Sequence, residues 1–155
     1  MSFDVYGLNP KSEDGFMYKC SSWIWHPMWE MIHELYPQII SKTPLVHNND
    51  GLCVDSETSL ILAGQLHKSL RSGEIAEYIK KFNDFLENLN DTECVACHGT
   101  GVRHDGILKR VDGLRCRICR GTKLMRPIQC GFYMNEENVV EFSKFLLASN
   151  GFRVA

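Results

Sequence analysis

Two closely spaced pairs of cysteines are the residues of this chain best suited to chemistry. They read Cys94-Val-Ala-Cys97 and Cys116-Arg-Ile-Cys119, which gives the spacing C-x2-C-x18-C-x2-C. Two residues between cysteines let one tight turn present both sulfurs to a single ion, and structural zinc takes four such ligands in a tetrahedron. The sequence therefore predicts one zinc ion (Zn2+) as cofactor, bound by Cys94, Cys97, Cys116 and Cys119.

The predicted role of this ion is structural, because four thiolates leave no open coordination position for a substrate. Gly99 and Gly121 follow the pairs and permit the positive φ that turns backbone N–H groups toward the thiolates. A hairpin turn at residues 104–106 is predicted to bring the two pairs together. His98 and His104 are spare ligands, and we expect both to face solvent or the basic surface.

Basic residues are concentrated around these pairs. Between Cys94 and Arg126 there are eight basic and only two acidic residues, a formal net charge of +6, whereas the whole chain carries −2. Arginine suits the recognition of phosphate, and basic clusters supply most of the affinity for nucleic acid. The alternative is a solvated charge run that docks on the acidic remainder of the chain. The predicted nucleic-acid or partner contacts are Arg103, Arg115, Arg117, Arg120 and Lys123.

An aromatic block before residue 30 is a second candidate site. If the segment around Trp23 and Trp25 is extended, both rings share one face and could stack on a planar ligand such as a nucleobase. The alternative is core packing, because tryptophan and phenylalanine dominate the burial of small domains. The predicted ligand-pocket residues are Tyr18, Lys19, Trp23, Trp25, His26, His47, Asn49 and Asp50.

Patterns typical of an enzyme are weak in this chain. His33-Glu34 lacks the second histidine of a zinc-protease helix, and neither a GxSxG sequence nor a phosphate-binding loop occurs. The turn at residues 47–50 is explained by turn chemistry alone. The sequence therefore favours a non-enzymatic protein, with a small hydrolase that uses its histidines as the enzymatic alternative.

The elements that must position these residues are mainly helical. Helices are predicted at 27–36, 56–72 and 74–90, with a last helix capped by Asn135 and ended by Asn150-Gly151. Residues 1–22 are predicted as loop with a short strand at 16–20, and residues 127–134 as extended. The expected fold class is mainly α (α+β), a small single helical domain over residues 1–155. A four-cysteine zinc-knuckle and β-hairpin loop is inserted at residues 92–126.

Composition and cysteine usage predict the setting. The chain has 155 residues, 44% hydrophobic and 23% charged, which is typical of one globular domain. Neither a secretory signal nor an apolar run long enough to cross a bilayer is expected, so we predict a cytoplasmic protein without a membrane partner. In that reducing compartment paired cysteines favour metal over disulfides. The remaining Cys20, Cys53 and Cys130 are predicted to be small buried hydrophobes.

The cysteine pairs resemble the CxxCxGxG repeats in the zinc domain of DnaJ-type co-chaperones. Residues Cys94 to Gly101 match the repeat fully, whereas Lys123 replaces the final glycine of the second repeat. The chain has two repeats instead of four and lacks the His-Pro-Asp sequence of a J-domain. The resemblance implies a one-zinc knuckle of similar geometry.

Longer segments resemble a family of small uncharacterised proteins encoded in bacterial and phage genomes. The family has a W-x-W-x-P block that often reads YFR…WxWRPLW, and His26 and Lys19 here take the places of two of its arginines. The resemblance implies a phage or prophage setting and a metal loop in the same place, but no known activity. The similar segments are GFMYKCSSWIWHPMWE, HNNDGL and ENVVEFSKFLLASNGFRV.

Taken together, these patterns predict a non-enzymatic, zinc-stabilised protein that contacts nucleic acid or a protein partner through its basic loop. The main alternative is a protein that binds a small nucleotide-type ligand with the aromatic block. The sequence makes no prediction of the oligomeric state.

Overall fold

The computed structural model describes residues 2–41, 51–103 and 114–155. The chain forms two compact units, a first unit of residues 1–83 with 131–155 and a second unit of residues 84–130. The helices are α1 Ser22–Leu35, α2 Ser56–Ser72, α3 Glu74–Glu87 and α4 Glu136–Ser149, with short 3-10 turns at Glu13–Gly15 and Ile128–Gly131. The strands are β1 Ser2–Gly7, β2 Met17–Ser21, β3 Cys53–Val54, β4 Thr92–Glu93, β5 Leu124–Met125 and β6 Phe152–Val154. Four helices and small antiparallel sheets in these described ranges confirm the α+β class.

The first unit contains a four-stranded antiparallel sheet in the order β2-β1-β6-β3. Val5 of β1 lies opposite Tyr18 on one side and Val154 on the other. The short strand predicted at 16–20 is confirmed as β2. The prediction that residues 1–22 are otherwise loop is wrong, because β1 gains partners from both ends of the described chain.

Helix α1 begins at Ser22, so the prediction that this helix starts at Pro27 is wrong. A proline inside a helix has no N–H for the carbonyl four residues earlier, which here belongs to Trp23. The backbone N–H of Tyr133 donates to that carbonyl at 3.1 Å. A second segment of the first unit thus satisfies the acceptor that Pro27 leaves open.

The other helices follow their sequence signals closely. The Asp55 carboxylate accepts from the Thr58 N–H at 2.8 Å at the start of α2, and this bond lowers the pKa of Asp55. Asn135 and Asn138 form a reciprocal capping box at the start of α4, and Asn150 ends that helix at a φ of 53°. The predictions for α2 and α4 are confirmed, whereas α3 ends at Glu87 instead of residue 90.

The core of the first unit is built on stacked aromatic rings. Trp25 lies between Phe3 and Trp29, with ring centroids 5.2 and 5.3 Å away and interplanar angles of 15° and 13°. Cys20 is buried as predicted, and burial raises the pKa of its thiol to about 12. Cys53 is exposed, so its predicted burial is wrong. Within the described ranges, no helix combines the length and apolar character needed to cross a bilayer.

The backbone around Gly15 is packed too closely for any side chain. A Cβ there would lie 2.3 Å from the Ala148 carbonyl oxygen, which belongs to the backbone of α4. We expect Gly15→Ala to lower the free energy of unfolding of the first unit by about 3 kcal/mol, because the two backbone segments must separate. Urea unfolding followed by tryptophan fluorescence measures this change.

Gly64→Ala is the matched control for that substitution. Gly64 lies inside α2 with open space around the added methyl group, and alanine favours a helix by about 1 kcal/mol over glycine. The control should therefore be slightly stabilising. A Gly15→Ala protein as stable as the wild type would contradict the close contact.

Candidate metal centre

The four paired cysteines converge in the second unit. The Sγ atoms of Cys94, Cys97, Cys116 and Cys119 all lie within 4.8 Å of one another, and all four residues are buried. The Cys94 and Cys116 sulfurs are 3.9 Å apart, and the Cys97 and Cys119 sulfurs are 3.7 Å apart. The sequence spacing therefore brings together the predicted residues.

These sulfur separations fit a tetrahedral metal site. Four sulfurs placed about 2.3 Å from a central ion form a tetrahedron whose edge is about 3.8 Å. A disulfide would need sulfurs about 2.05 Å apart. Four close, buried cysteines of this kind could hold a metal ion, and tetrahedral sulfur ligation suits zinc or iron.

Two similar turns carry the ligands. We name Cys94–Gly101 the first knuckle and Cys116–Lys123 the second knuckle. In the first, the Thr100 N–H donates to the Cys97 carbonyl at 3.0 Å and the hydroxyl donates to the same oxygen at 2.7 Å. In the second, Thr122 makes the same two bonds to the Cys119 carbonyl at 2.9 and 2.7 Å.

The two knuckles are joined by reciprocal backbone bonds. The Cys94 N–H donates to the Lys123 carbonyl at 2.8 Å, and the Cys116 N–H donates to the Gly101 carbonyl at 2.9 Å. The strand pair β4–β5 on one side has its counterpart in the Val102–Arg115 bridge on the other. Since matching positions are 22 residues apart, the centre is an internal repeat with approximate twofold symmetry.

Left-handed backbone occurs at matching positions of both knuckles. Gly99 and Gly121 have φ of 69° and 89°, which confirms the prediction of positive φ at these glycines. Lys123 has a φ of 71° where the first knuckle has Gly101 at 77°. Left-handed backbone costs a residue with a side chain about 1–2 kcal/mol, so the lysine is retained at an energetic cost.

The thiols of Cys97 and Cys119 differ in acidity. Burial raises the pKa of Cys97 to about 11, although the Gly101 N–H lies 3.3 Å from its sulfur. Burial also opposes ionisation of Cys119, but the N–H groups of Gly121 and Lys123 outweigh it and lower the pKa to about 7. Backbone N–H groups directed at sulfur are the arrangement that a thiolate ligand requires.

The predicted basic contacts lie on or next to the second knuckle. Arg115, Arg117, Arg120 and Lys123 are exposed, and Arg103 is partly buried. None of the four exposed cations forms an ion pair with another residue in the part of the chain that the structure describes. Their charges therefore face solvent.

Arg126 has a role that the sequence reasoning missed. It donates to the Leu89 carbonyl at 3.2 Å and lies 3.9 Å from the Asp91 carboxylate, at the base of the β4–β5 pair. It therefore ties together the two ends of the metal-binding segment. The sequence gives only one signal for this contact, namely that Asp91 comes just before the cysteine segment and Arg126 just after it.

The histidines near the knuckles take no part in the described cluster. His98 is exposed, as expected for a spare ligand. His104 and the predicted hairpin turn at 104–106 lie outside the described residues.

The predicted ligand-pocket residues that the structure describes are dispersed. Trp25 is fully buried, and Trp23 is 37% exposed beside Phe132. The condition for a shared face, an extended segment, is not met, because both tryptophans lie in α1 and side chains two positions apart point about 200° apart around a helix. His26 is partly buried and packs against the Phe3 and Phe132 rings. The predicted pocket residues His47, Asn49 and Asp50 lie outside the described residues.

Two pocket residues border a different feature. Tyr18 and Lys19 line an open groove of about 490 Å³ beside α4. Tyr18 is otherwise buried, and Lys19 is paired with Asp4 at 3.2 Å. The groove also has charges of both signs, from Glu13, Asp14, Glu141 and Lys144. It contains none of the three tryptophans.

Comparison of the chain with protein-family models, with curated proteins and with solved structures found no match.

Proposed function

We propose that this is a non-enzymatic, zinc-stabilised binding protein that contacts nucleic acid or a protein partner through the basic surface of residues 92–126. One zinc ion bound by Cys94, Cys97, Cys116 and Cys119 holds that surface in shape. The observation that carries the proposal is the set of four buried sulfurs at separations close to a tetrahedral edge. The resemblance of both knuckles to the CxxCxGxG repeat supports zinc over iron.

A structural ion is favoured because the second unit has little other core. Among its described residues, the only buried side chains besides the four cysteines belong to Leu86, and Met125 packs partly buried against the cysteines. Segments this small usually need a metal or disulfides to fold. Four protein ligands also leave no position for an activated water, which argues against a metal-dependent hydrolase.

The alternative of a nucleotide pocket has less support. Trp25 is enclosed by other aromatic rings and is not available for stacking, and Tyr18 is mostly buried. We also propose a cytoplasmic setting, from the sequence patterns that predict it, and a phage or prophage origin, from the family resemblance.

Metal analysis of the purified chain tests the proposal. We expect about one zinc per chain, and no visible absorption of the kind that an iron–thiolate centre gives. The Cys53→Ser protein is the control, because Cys53 is an exposed single thiol outside the cluster. Stoichiometric zinc should persist in it. A wild-type protein that carries no stoichiometric metal after purification under reducing conditions would contradict the proposal.

A further inference from the structure

The internal repeat offers a comparison within one molecule. Positions 22 residues apart share the same backbone path around the sulfurs, yet their side chains differ in one consistent way. At four positions, counted from the residue just before each knuckle, the second knuckle has a basic side chain. At the matching positions the first knuckle has an acidic residue, a neutral residue or a glycine. The matching pairs are Glu93 with Arg115, Val95 with Arg117, His98 with Arg120, and Gly101 with Lys123.

The metal geometry does not require this basic charge. The first knuckle contains no lysine or arginine, yet it makes the same threonine bonds, and its Gly101 carbonyl accepts a backbone bond just as the Lys123 carbonyl does in the second knuckle. Arg120 and Lys123 take positive φ, and at Lys123 the first knuckle has a glycine. A basic residue at a position whose left-handed backbone favours glycine indicates that its side chain has a role outside the metal site.

The surface of the second knuckle is poorly suited to a protein interface. Such interfaces bury about 800 Å² on each partner and are depleted in charge at their centre. The knuckle presents only eight residues, and its exposed apolar side chain, Ile118, lies between Arg117 and Arg120. Binding to a phosphate backbone needs neither a large buried area nor an uncharged centre, since separate cationic side chains each contact a phosphate.

We infer that the second knuckle is the contact face of the protein and that its ligand is the phosphate backbone of nucleic acid, bound without sequence preference. Arg117, Arg120 and Lys123 supply the phosphate contacts. The first knuckle completes the metal site and makes no such contact. This inference rests on the proposed function, because the knuckle needs its ion to hold these side chains in place.

The test transfers side chains of the first knuckle to the second. The triple variant Arg117→Val, Arg120→His, Lys123→Gly places residues on a backbone that already accepts them in the first knuckle. Arg115 is retained, because its side chain lies 3.4 Å from the position of a Cβ on Gly121 and so packs against the second knuckle. Fluorescence anisotropy measures binding to a labelled short DNA strand, its duplex and the matching RNA strand from about 50 to 200 mM salt.

For the wild type we expect log affinity for the duplex to fall with log salt concentration at a slope of about −3, which corresponds to the three phosphate contacts of Arg117, Arg120 and Lys123. For the triple variant, which lacks all three contacts, we expect a slope close to zero and at least tenfold weaker binding at low salt, with zinc content unchanged. The charge-matched control, Lys68→Gln, Lys80→Gln, Lys144→Gln, changes three exposed residues of the first unit. It should bind nearly as tightly as the wild type.

A second variant, Arg117→Gln with Arg120→Gln, leaves Lys123 in place and should lose about two units of slope. Equal affinity for nucleic acid of the wild type, the triple variant and this double variant would overturn the inference. So would a zinc-loaded wild type that binds no nucleic acid at low salt, or one that binds polyglutamate as tightly as DNA. Those results would leave the zinc-stabilised protein intact, whereas missing zinc in the wild type would refute the proposed function itself.

Discussion

Replacing Cys119 by serine is expected to abolish stoichiometric metal binding and to unfold the second unit while the first unit stays folded. Even the loss of an outer partner of a metal ligand costs about 10–100-fold in affinity, so the loss of a ligand itself should cost more than about a hundredfold. Structural zinc contributes on the order of 10 kcal/mol to small metal-dependent folds. With only Leu86 buried besides the cysteines among its described residues, the second unit has no other comparable source of stability.

The two units can be followed separately in this variant. All three tryptophans lie in the first unit, so tryptophan fluorescence reports its unfolding alone. Hydrogen exchange of residues 114–130 reports the second unit. We expect loss of amide protection there with an unchanged fluorescence midpoint, and wild-type behaviour for Cys53→Ser. Retained protection in a metal-free Cys119→Ser protein would show that the ion is not needed for this fold.

Trp25→Ala is expected to lower the free energy of unfolding of the first unit by about 3–5 kcal/mol. Trp25 is completely buried and stacked on two sides, so alanine would leave a large cavity between Phe3 and Trp29. For a fold of ordinary stability, about 5–15 kcal/mol, this is a major fraction. Urea unfolding followed by the fluorescence of the two remaining tryptophans measures the change.

Trp23→Ala is the control, because the Trp23 ring is partly exposed against Phe132. We expect a loss of about 1 kcal/mol, in line with a side chain outside the core. If Trp25→Ala proved as mild as Trp23→Ala and instead removed binding of a nucleotide, the aromatic block would be a pocket after all.

Local signals in the sequence were sufficient for the helices that carry their own caps. Helix α2 has its predicted bounds and is flanked by Asp55 and Gly73, and α4 is flanked by Asn135 and Asn150 as predicted. The sulfur cluster was also predictable, because the ligands within each pair are close in sequence and the chemistry of zinc fixes how many are needed. In each case the deciding interactions lie within a few residues of one another.

Elements that depend on distant partners were missed or misassigned. Strand β1 has only Phe3 and Val5 as buried positions, and besides the nearby β2 it pairs with β6, far along the chain. Helix α1 begins before Pro27 because the Tyr133 N–H replaces the missing helical partner. Because α1 was not predicted to include Trp23 and Trp25, the sequence could not show that one side chain is buried and the other partly exposed.

The position of β6 between β1 and β3 has a consequence for the order of events during translation. The central sheet is incomplete until residues 152–154 have left the ribosome, since both neighbouring strands need β6 as a partner. The four cysteines, by contrast, are all available once residue 119 has emerged. Metal capture can therefore precede closure of the sheet, so that the nascent polypeptide acquires a rigid segment while its amino-terminal strand is paired with β2 alone and still lacks β6.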